Sequence, residues 1–243
     1  MIEARGLNKS FGPVPAVREV SFTARDGAIT GLVGPNGAGK STTLRMLYTV
    51  LRPDGGTAVV DQMDVVRDPL AVRERLGVLP HASGLYPNLT ARENIRYFGA
   101  LHGMRGAALD ARAAELLRLL ELDAIADRRA KGFSQGERIK VAIARALVHS
   151  PRNLILDEPT SGLDVMAIRT LRDVLRRLRD QGTCILFSSH VMQEVSMLSD
   201  AAIVIGHGRV LAHGTPDEIR NSTGAATLED AFVTLLAEPP EAP

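Results

Sequence analysis

The chain has 243 residues, enough to bury a full core in one large domain or in one domain with a subdomain. Its 45% hydrophobic and 23% charged residues match an ordinary globular protein, while 4% aromatics and a net charge of +1 argue against a base-stacking or phosphate-tracking nucleic-acid binder. Cys184 is the single cysteine, so no intramolecular disulfide can form, and a reducing compartment is the natural setting. Residues Met1 to Gly6 carry no apolar leader, and no stretch approaches the roughly 18–20 apolar residues of a membrane helix. A soluble protein is expected, whose access to any membrane runs through a partner.

Strand-like alternation opens the chain, over Ile2 to Leu7 and Val17 to Ala24, with turn signals at Gly12-Pro13 and Asp26-Gly27. Ala28 to Val33 is a short apolar run that leads into a glycine-rich loop. The spacing of Leu44, Leu47, Tyr48 and Leu51 predicts a helix from Ser41 to Leu51, stopped near Pro53. Val59 and Val60 read as strand, Leu70 to Arg75 as a short helix and Leu76 to Leu79 as strand. The middle of the chain changes character, with helical periodicity over Thr90 to Leu101, Leu109 to Leu122 and Gly136 to Val148. Alternation then returns: strand Leu154 to Leu156, helix Val165 to Leu178, strand Cys184 to Phe187, helix Met192 to Leu198. Strands Ala202 to Ile205 and Arg209 to Ala212 meet at Gly206-His207-Gly208 as a hairpin. Leu228 to Leu236 is a last helix, and Glu238 to Pro243 reads as a disordered, proline-rich tail.

This order predicts an α/β fold with a parallel sheet covered on both faces and an inserted α-helical subdomain.

Gly34-Pro35-Asn36-Gly37-Ala38-Gly39-Lys40-Ser41 fits G-x-x-x-x-G-K-[ST] at every fixed position, and Thr42 follows. Glycines let the backbone wrap so that several N–H groups point at phosphate oxygens, and the following helix adds its positive end. Lys40 is expected to reach the β- and γ-phosphates of ATP, and Ser41 to ligate Mg²⁺. Asn153-Leu154-Ile155-Leu156-Asp157-Glu158 is an apolar strand ending in two carboxylates. Placed beside the phosphate-loop strand, it would deliver both acids to the C-terminal edge of the sheet. There Asp157 would hold magnesium and Glu158 would act as general base on the attacking water. By itself such an ending is commonly a solvated turn; the intact phosphate loop reverses those odds.

Between these motifs lies Phe133-Ser134-Gln135-Gly136-Glu137, opening a helix. After them come Pro159-Thr160-Ser161-Gly162-Leu163-Asp164 and Ser188-Ser189-His190. In this order the motifs resemble the signature, D-loop and switch histidine of ABC ATPases, and the resemblance runs from about Ile2 to at least Ile219. It implies an α/β fold with a P-loop NTPase (RecA-like) parallel-sheet core, an N-terminal antiparallel β subdomain and an inserted α-helical subdomain. The implied ATPase domain spans 1–222, with core 1–85 and 150–222 and helices at about 86–149, followed by a terminal helix and disordered proline-rich tail over 223–243. The resemblance also implies a homodimer in the ATP-bound state, with Ser134, Gln135 and Gly136 of one copy facing the γ-phosphate held by the other. Asp164 joins that site, and His190 senses the γ-phosphate. Phe11 matches the aromatic that stacks on adenine, although plain core packing explains it almost as well. Two residues depart from the family pattern. His81 stands where the family has a Gln, and an imidazole cannot present an amide's carbonyl and amino groups together. Gln135 replaces the first signature glycine. Neither change removes Lys40, Asp157, Glu158 or His190, so hydrolysis is expected.

The segment Gly84 to Asn94 and the ending Leu228-Glu229-Asp230-Ala231-Phe232 look like ATPases of two-component exporters, nearest the sodium-extrusion type with drug exporters close by. That likeness implies a separate transmembrane permease, faced by the segment after His81, and a cytoplasmic subunit lying on the inner face of the cell membrane. A soluble ABC-type ATPase or a regulatory nucleotide-binding module is the alternative.

Overall fold

The computed structural model describes residues 1–82 and 84–237. Ser83 and the tail Glu238 to Pro243, for which disorder is expected, lie outside the described residues. The chain opens with β1 (Ile2–Phe11) and β2 (Val14–Ala24), an antiparallel hairpin that turns at Gly12-Pro13. β3 (Ile29–Val33) leads to α1 (Lys40–Leu47), followed by β4 (Gly55–Val60), β5 (Met63–Asp64), α2 (Pro69–Arg75) and β6 (Leu76–Leu79). Three helices follow: α3 (Ala91–Leu101), α4 (Gly106–Leu119) and α5 (Gln135–Leu147). The rest is β7 (Asn153–Asp157), α6 (Val165–Asp180), β8 (Cys184–Ser189), α7 (Met192–Leu198), β9 (Ala201–Gly206), β10 (Arg209–Gly214), α8 (Pro216–Ser222) and α9 (Leu228–Ala237).

Among the described residues one sheet has the order β10-β9-β3-β8-β7-β6, parallel from β9 to β6 with β10 antiparallel at the edge. A second, antiparallel sheet has the order β2-β1-β4-β5. The parallel strands bury both faces, as their near-continuous apolar runs require. Successive side chains alternate between two cores. Leu154, Leu156, Ile185 and Phe187 pack with residues of α3 to α7 and α9. Ile155, Leu186, Leu32 and Ile203 face α1 and the antiparallel sheet. The phosphate-loop helix is thus wedged between two sheets.

Element ends differ from expectation for local reasons. α1 stops at Leu47 rather than Leu51, because Thr49 takes a left-handed φ of 64°. α8 was not expected, yet its start carries a full local signal: Thr215 caps the N–H of Glu218, Glu218 caps back, and Pro216 stands in the first turn. The hairpin after β9 turns on His207 and Gly208, both at positive φ, as a two-residue loop between twisted strands demands.

Where α3 and α5 end beside each other, His102 and His149 stack with centroids 3.7 Å apart and planes 3° from parallel. Burial, with the neighbouring His102 and Arg112, pushes the His149 imidazole from 6.5 down to about 4. The folded chain therefore keeps this ring neutral where the unfolded chain protonates it. Its contribution to stability is complete above pH 6.5 and declines as the pH falls toward 4. Replacing the ring by His149→Phe, which can keep the stack, is expected to make Tm less sensitive to pH across that window, as thermal unfolding at several pH values will measure.

Candidate functional site

The phosphate loop hangs between the buried strand β3 and α1. Gly39, at the helix N-cap, has φ 102°, and a Cβ there would lie 2.5 Å from the carbonyl oxygen of Ala16. At Gly34 a Cβ would lie 2.2 Å from the carbonyl oxygen of Ile205. Only glycine fits these two approaches, which press the loop against β2 and β9. The Gly208 N–H donates to Ala38 O at 3.1 Å and the Arg18 N–H to Gly208 O at 2.8 Å, so the edge hairpin fastens the loop from outside. Asn36 and Gly37 remain exposed at the rim, while Pro35, Ser41 and Thr42 are half-buried.

Lys40 is buried, and its ammonium donates to the carbonyls of Gly34 at 2.7 Å and Pro35 at 3.1 Å. The Glu158 carboxylate lies 3.7 Å away. Desolvation lowers the lysine's pKa, opposed by Glu158 and Asp157. The cation therefore sits folded over its own loop.

β7 ends in the acids as expected, but it does not adjoin β3. The order β3-β8-β7 puts β8 between them. That correction explains a role the sequence reading missed. In the β7–β8 register Asp157 pairs with Ser188, whose hydroxyl donates to Asp157 Oδ1 at 2.7 Å and accepts the Glu158 N–H at 2.9 Å. Two hydroxyl residues ending the apolar run Cys184 to Phe187 were the available signal. Ser41 also donates to Asp157 Oδ1, at 3.1 Å. Asp157 is 2% exposed and its Oδ2 is buried with no hydrogen-bond partner. A hydroxyl next to a carboxylate with a spare buried oxygen is a donor set that suits Mg²⁺.

Glu158 has φ 55°, a left-handed backbone unusual for a side chain of this size. Its Oε2 lies 2.7 Å from His190 Nδ1, the nitrogen that must carry the proton donated to a carboxylate. The Glu158 side chain is 8% exposed and that of His190 48%. Lys40, Asp157, Glu158 and His190 thus meet at the C-terminal edge of the sheet.

The other expected residues occupy defined places. Ser134 is the N-cap of α5: its hydroxyl accepts the Glu137 N–H at 3.2 Å, and Glu137 accepts the Ser134 N–H at 2.7 Å. Burial acts to raise the Glu137 pKa, but the Ser134 N–H and the Arg128 ion pair outweigh it and the net shift is downward. Gln135 packs over Gly162, and a Cβ on Gly136 would meet Leu163 at 3.6 Å, so the signature segment rests on the D-loop. His81 and Gln135 line one cleft of about 80 Å³ together with Asp157, Glu158 and Ser161. Asp164 caps α6 through the Ala167 N–H at 2.8 Å. Phe11, at the end of β1, is 51% exposed, so the core-packing alternative does not describe it.

The ABC transporter family model matches residues 17–161. The chain belongs to the ABC transporter family, as an ATP-binding subunit with ATPase activity. It is 42% identical to the ABC transporter ATP-binding protein NatA of Bacillus subtilis (strain 168) over 224 residues, covering 92% of this chain and 91% of that protein. It is 42% identical to the daunorubicin/doxorubicin resistance ATP-binding protein DrrA of Streptomyces peucetius over 227 residues, 93% of this chain and 69% of that one. Among solved structures, an ATP-binding subunit of an ABC transporter superposes with TM-score 0.89 at 30% identity, covering 97% of this chain and 99% of its own. A dimeric ATP-binding cassette in a post-hydrolysis state with ADP and Pi matches at TM-score 0.81 and 26% identity, over 88% and 98%.

Because Gly39 combines a positive φ with a backbone contact, Gly39→Ala is expected to cost about 1–3 kcal/mol of stability. It should also weaken ATP binding, and calorimetric titration with thermal unfolding will check both.

Proposed function

We propose that this chain is the motor of an exporter, binding MgATP at the phosphate loop and hydrolysing it between two copies of itself beneath a separate membrane permease. The observation that carries this reading is the convergence of Lys40, Glu158 and His190 around Asp157, whose second oxygen is buried and unpartnered. Mg²⁺, held by Ser41 and Asp157, would offset phosphate charge. Lys40 would transfer its hydrogen bonds from Gly34 and Pro35 to the β- and γ-phosphates. The loop residues Gly34 to Ser41 other than Pro35, with Thr42, would present backbone N–H groups and the start of α1 to the same anion. Phe11 offers an exposed ring to the adenine.

Glu158 is the general base in this reading. Its Oε2 is oriented by His190, and its carboxylate is shielded from water except toward the cleft shared with His81 and Gln135. Proton abstraction from water by a carboxylate fixed in this way would accompany in-line attack on the γ-phosphate. The half-exposed His190 ring stands at the open side of this pair, where it would meet the γ-phosphate and register its departure.

Ser134, Gln135 and Gly136 stand at the capped and exposed start of α5, where a helix N-terminus can receive an anion from another copy. The D-loop borders the same face, with Gly162 beneath Gln135 and Asp164 capping α6. The dimeric state of a similar cassette supports this arrangement. The division into an ATPase unit over 1–222, with its helical portion at about 86–149, and a terminal helix beyond belongs to the same proposal.

Among the described residues no helix is long and apolar enough to cross a membrane. Attachment to the inner membrane face therefore falls to the permease, reached through the segment that follows His81. The names of relatives concern drug resistance and, for a Burkholderia lata protein 40% identical over 221 residues, Nod factor export. Together with the sodium-extrusion likeness, they support outward transport of an ion or small molecule selected by the permease.

Lys40→Ala is expected to lower ATP turnover about 100-fold or more, measured as phosphate release. Glu158→Gln is expected to bind ATP and form a nucleotide-dependent dimer, seen by light scattering. A variant that stays monomeric in saturating ATP would defeat the motor reading.

A further inference from the structure

We infer that Glu194 is a positioning residue for the Glu158–His190 pair, an inference that rests on the catalytic reading above. Glu158 and His190 lie 32 positions apart in the chain, and their 2.7 Å contact requires two separate segments to hold a common register. Each segment is mounted on a hydroxyl next to the pair. Thr160 stands two residues after Glu158, and Ser189 immediately precedes His190; they are 8% and 0% exposed. Both hydroxyls donate to the same atom, Glu194 Oε2 in the first turn of α7, at 2.6 Å from Thr160 and 2.8 Å from Ser189.

The geometry is specific to alignment. Ser189 has one hydroxyl proton, whose short contact is Glu194 at 2.8 Å against 3.5 Å for the Val191 carbonyl, and its oxygen accepts the Val191 N–H at 3.0 Å. Ser189 therefore brackets His190 from both sides, and its own orientation is set by Glu194. On the other segment Glu158 sits at φ 55°, a conformation that persists only where its surroundings hold it. Ser188 fastens the Glu158 N–H, and the Ser161 N–H closes the turn onto Glu158 O at 3.2 Å. Thr160 lies inside that turn, so its bond to Glu194 ties the turn to α7. Short hydroxyl–carboxylate bonds are charge-assisted and strongly directional. One carboxylate oxygen thus couples the base to the residue that orients it, without touching nucleotide itself.

Basal ATPase kinetics of the full chain test this. Glu194→Ala is expected to lower kcat about tenfold with KM for ATP unchanged, as a small misplacement of a base does. Glu194→Gln is expected to restore most of the rate, since an amide oxygen with two lone pairs can accept both hydroxyls. Thr160→Val, which deletes one hydroxyl, should reproduce the loss and add nothing in combination with Glu194→Ala. A parental kcat in Glu194→Ala, a Glu194→Gln as slow as the alanine variant, a loss carried in KM, or additive losses would each overturn the inference. If Glu194→Ala does not fold, the Gln and Val variants decide by the same criteria. Lys40→Ala runs alongside: if it too turns over ATP at the parental rate, the catalytic reading fails and the inference falls with it. If Lys40→Ala is inactive and Glu194→Ala is not impaired, only the role of Glu194 is lost.

Discussion

A carboxylate held inside an apolar sheet is the constraint on which this molecule turns. Asp157 ends a strand whose five residues are all buried, where an ionised group without partners would cost several kcal/mol. Two hydroxyls, from Ser41 and Ser188, stabilise one of its oxygens and leave the other unsatisfied. The phosphate-loop helix, the acidic strand and the strand that leads to His190 all converge on this one group. Any shift in their register would strand the charge. The parallel sheet, buried on both faces by two separate cores, supplies the rigidity that prevents such a shift.

Around this fixed point the structure stores strain. Glycines 34 and 39 allow backbone approaches closed to any other residue, and Glu158 adopts a left-handed turn with a large side chain. Each is held by neighbours far away in sequence: the edge hairpin for the loop, β8 for Glu158. The glycines take their conformations without strain, whereas the left-handed backbone of Glu158 costs about 1–3 kcal/mol and survives only in an over-determined environment. Its effect is to turn the Glu158 carboxylate back toward Lys40 and His190 instead of into solvent.

The helical segment follows a different logic. α3 and α5 each begin with a reciprocal capping box, at Thr90–Glu93 and Ser134–Glu137. Their starts are therefore fixed by local chemistry, whatever the sheet does. In α5 this holds Ser134 and the first backbone N–H groups at the surface. The two departures from the family pattern meet at this junction, since His81 and Gln135 border the same small cleft as Asp157 and Glu158.

The sequence by itself determined the elements whose chemistry is contiguous. The phosphate loop was legible because eight successive residues carry it, and the α/β order because apolar periods of two and near four alternate along the chain. The helix α8 is legible too, through Thr215, Pro216 and Glu218. The tertiary structure alone decided which strands are neighbours. Strand order depends on packing energy summed over both sheet faces, and no local pattern encodes it. The placing of β8 between β3 and β7, the Ser188–Asp157 bond across 31 positions and the Thr160–Glu194 bond across 34 all follow from it. The same reason separates Phe11, for which core packing read almost as well as adenine stacking, from the buried aromatics: exposure is a property of what packs alongside, and at the end of β1 too little does.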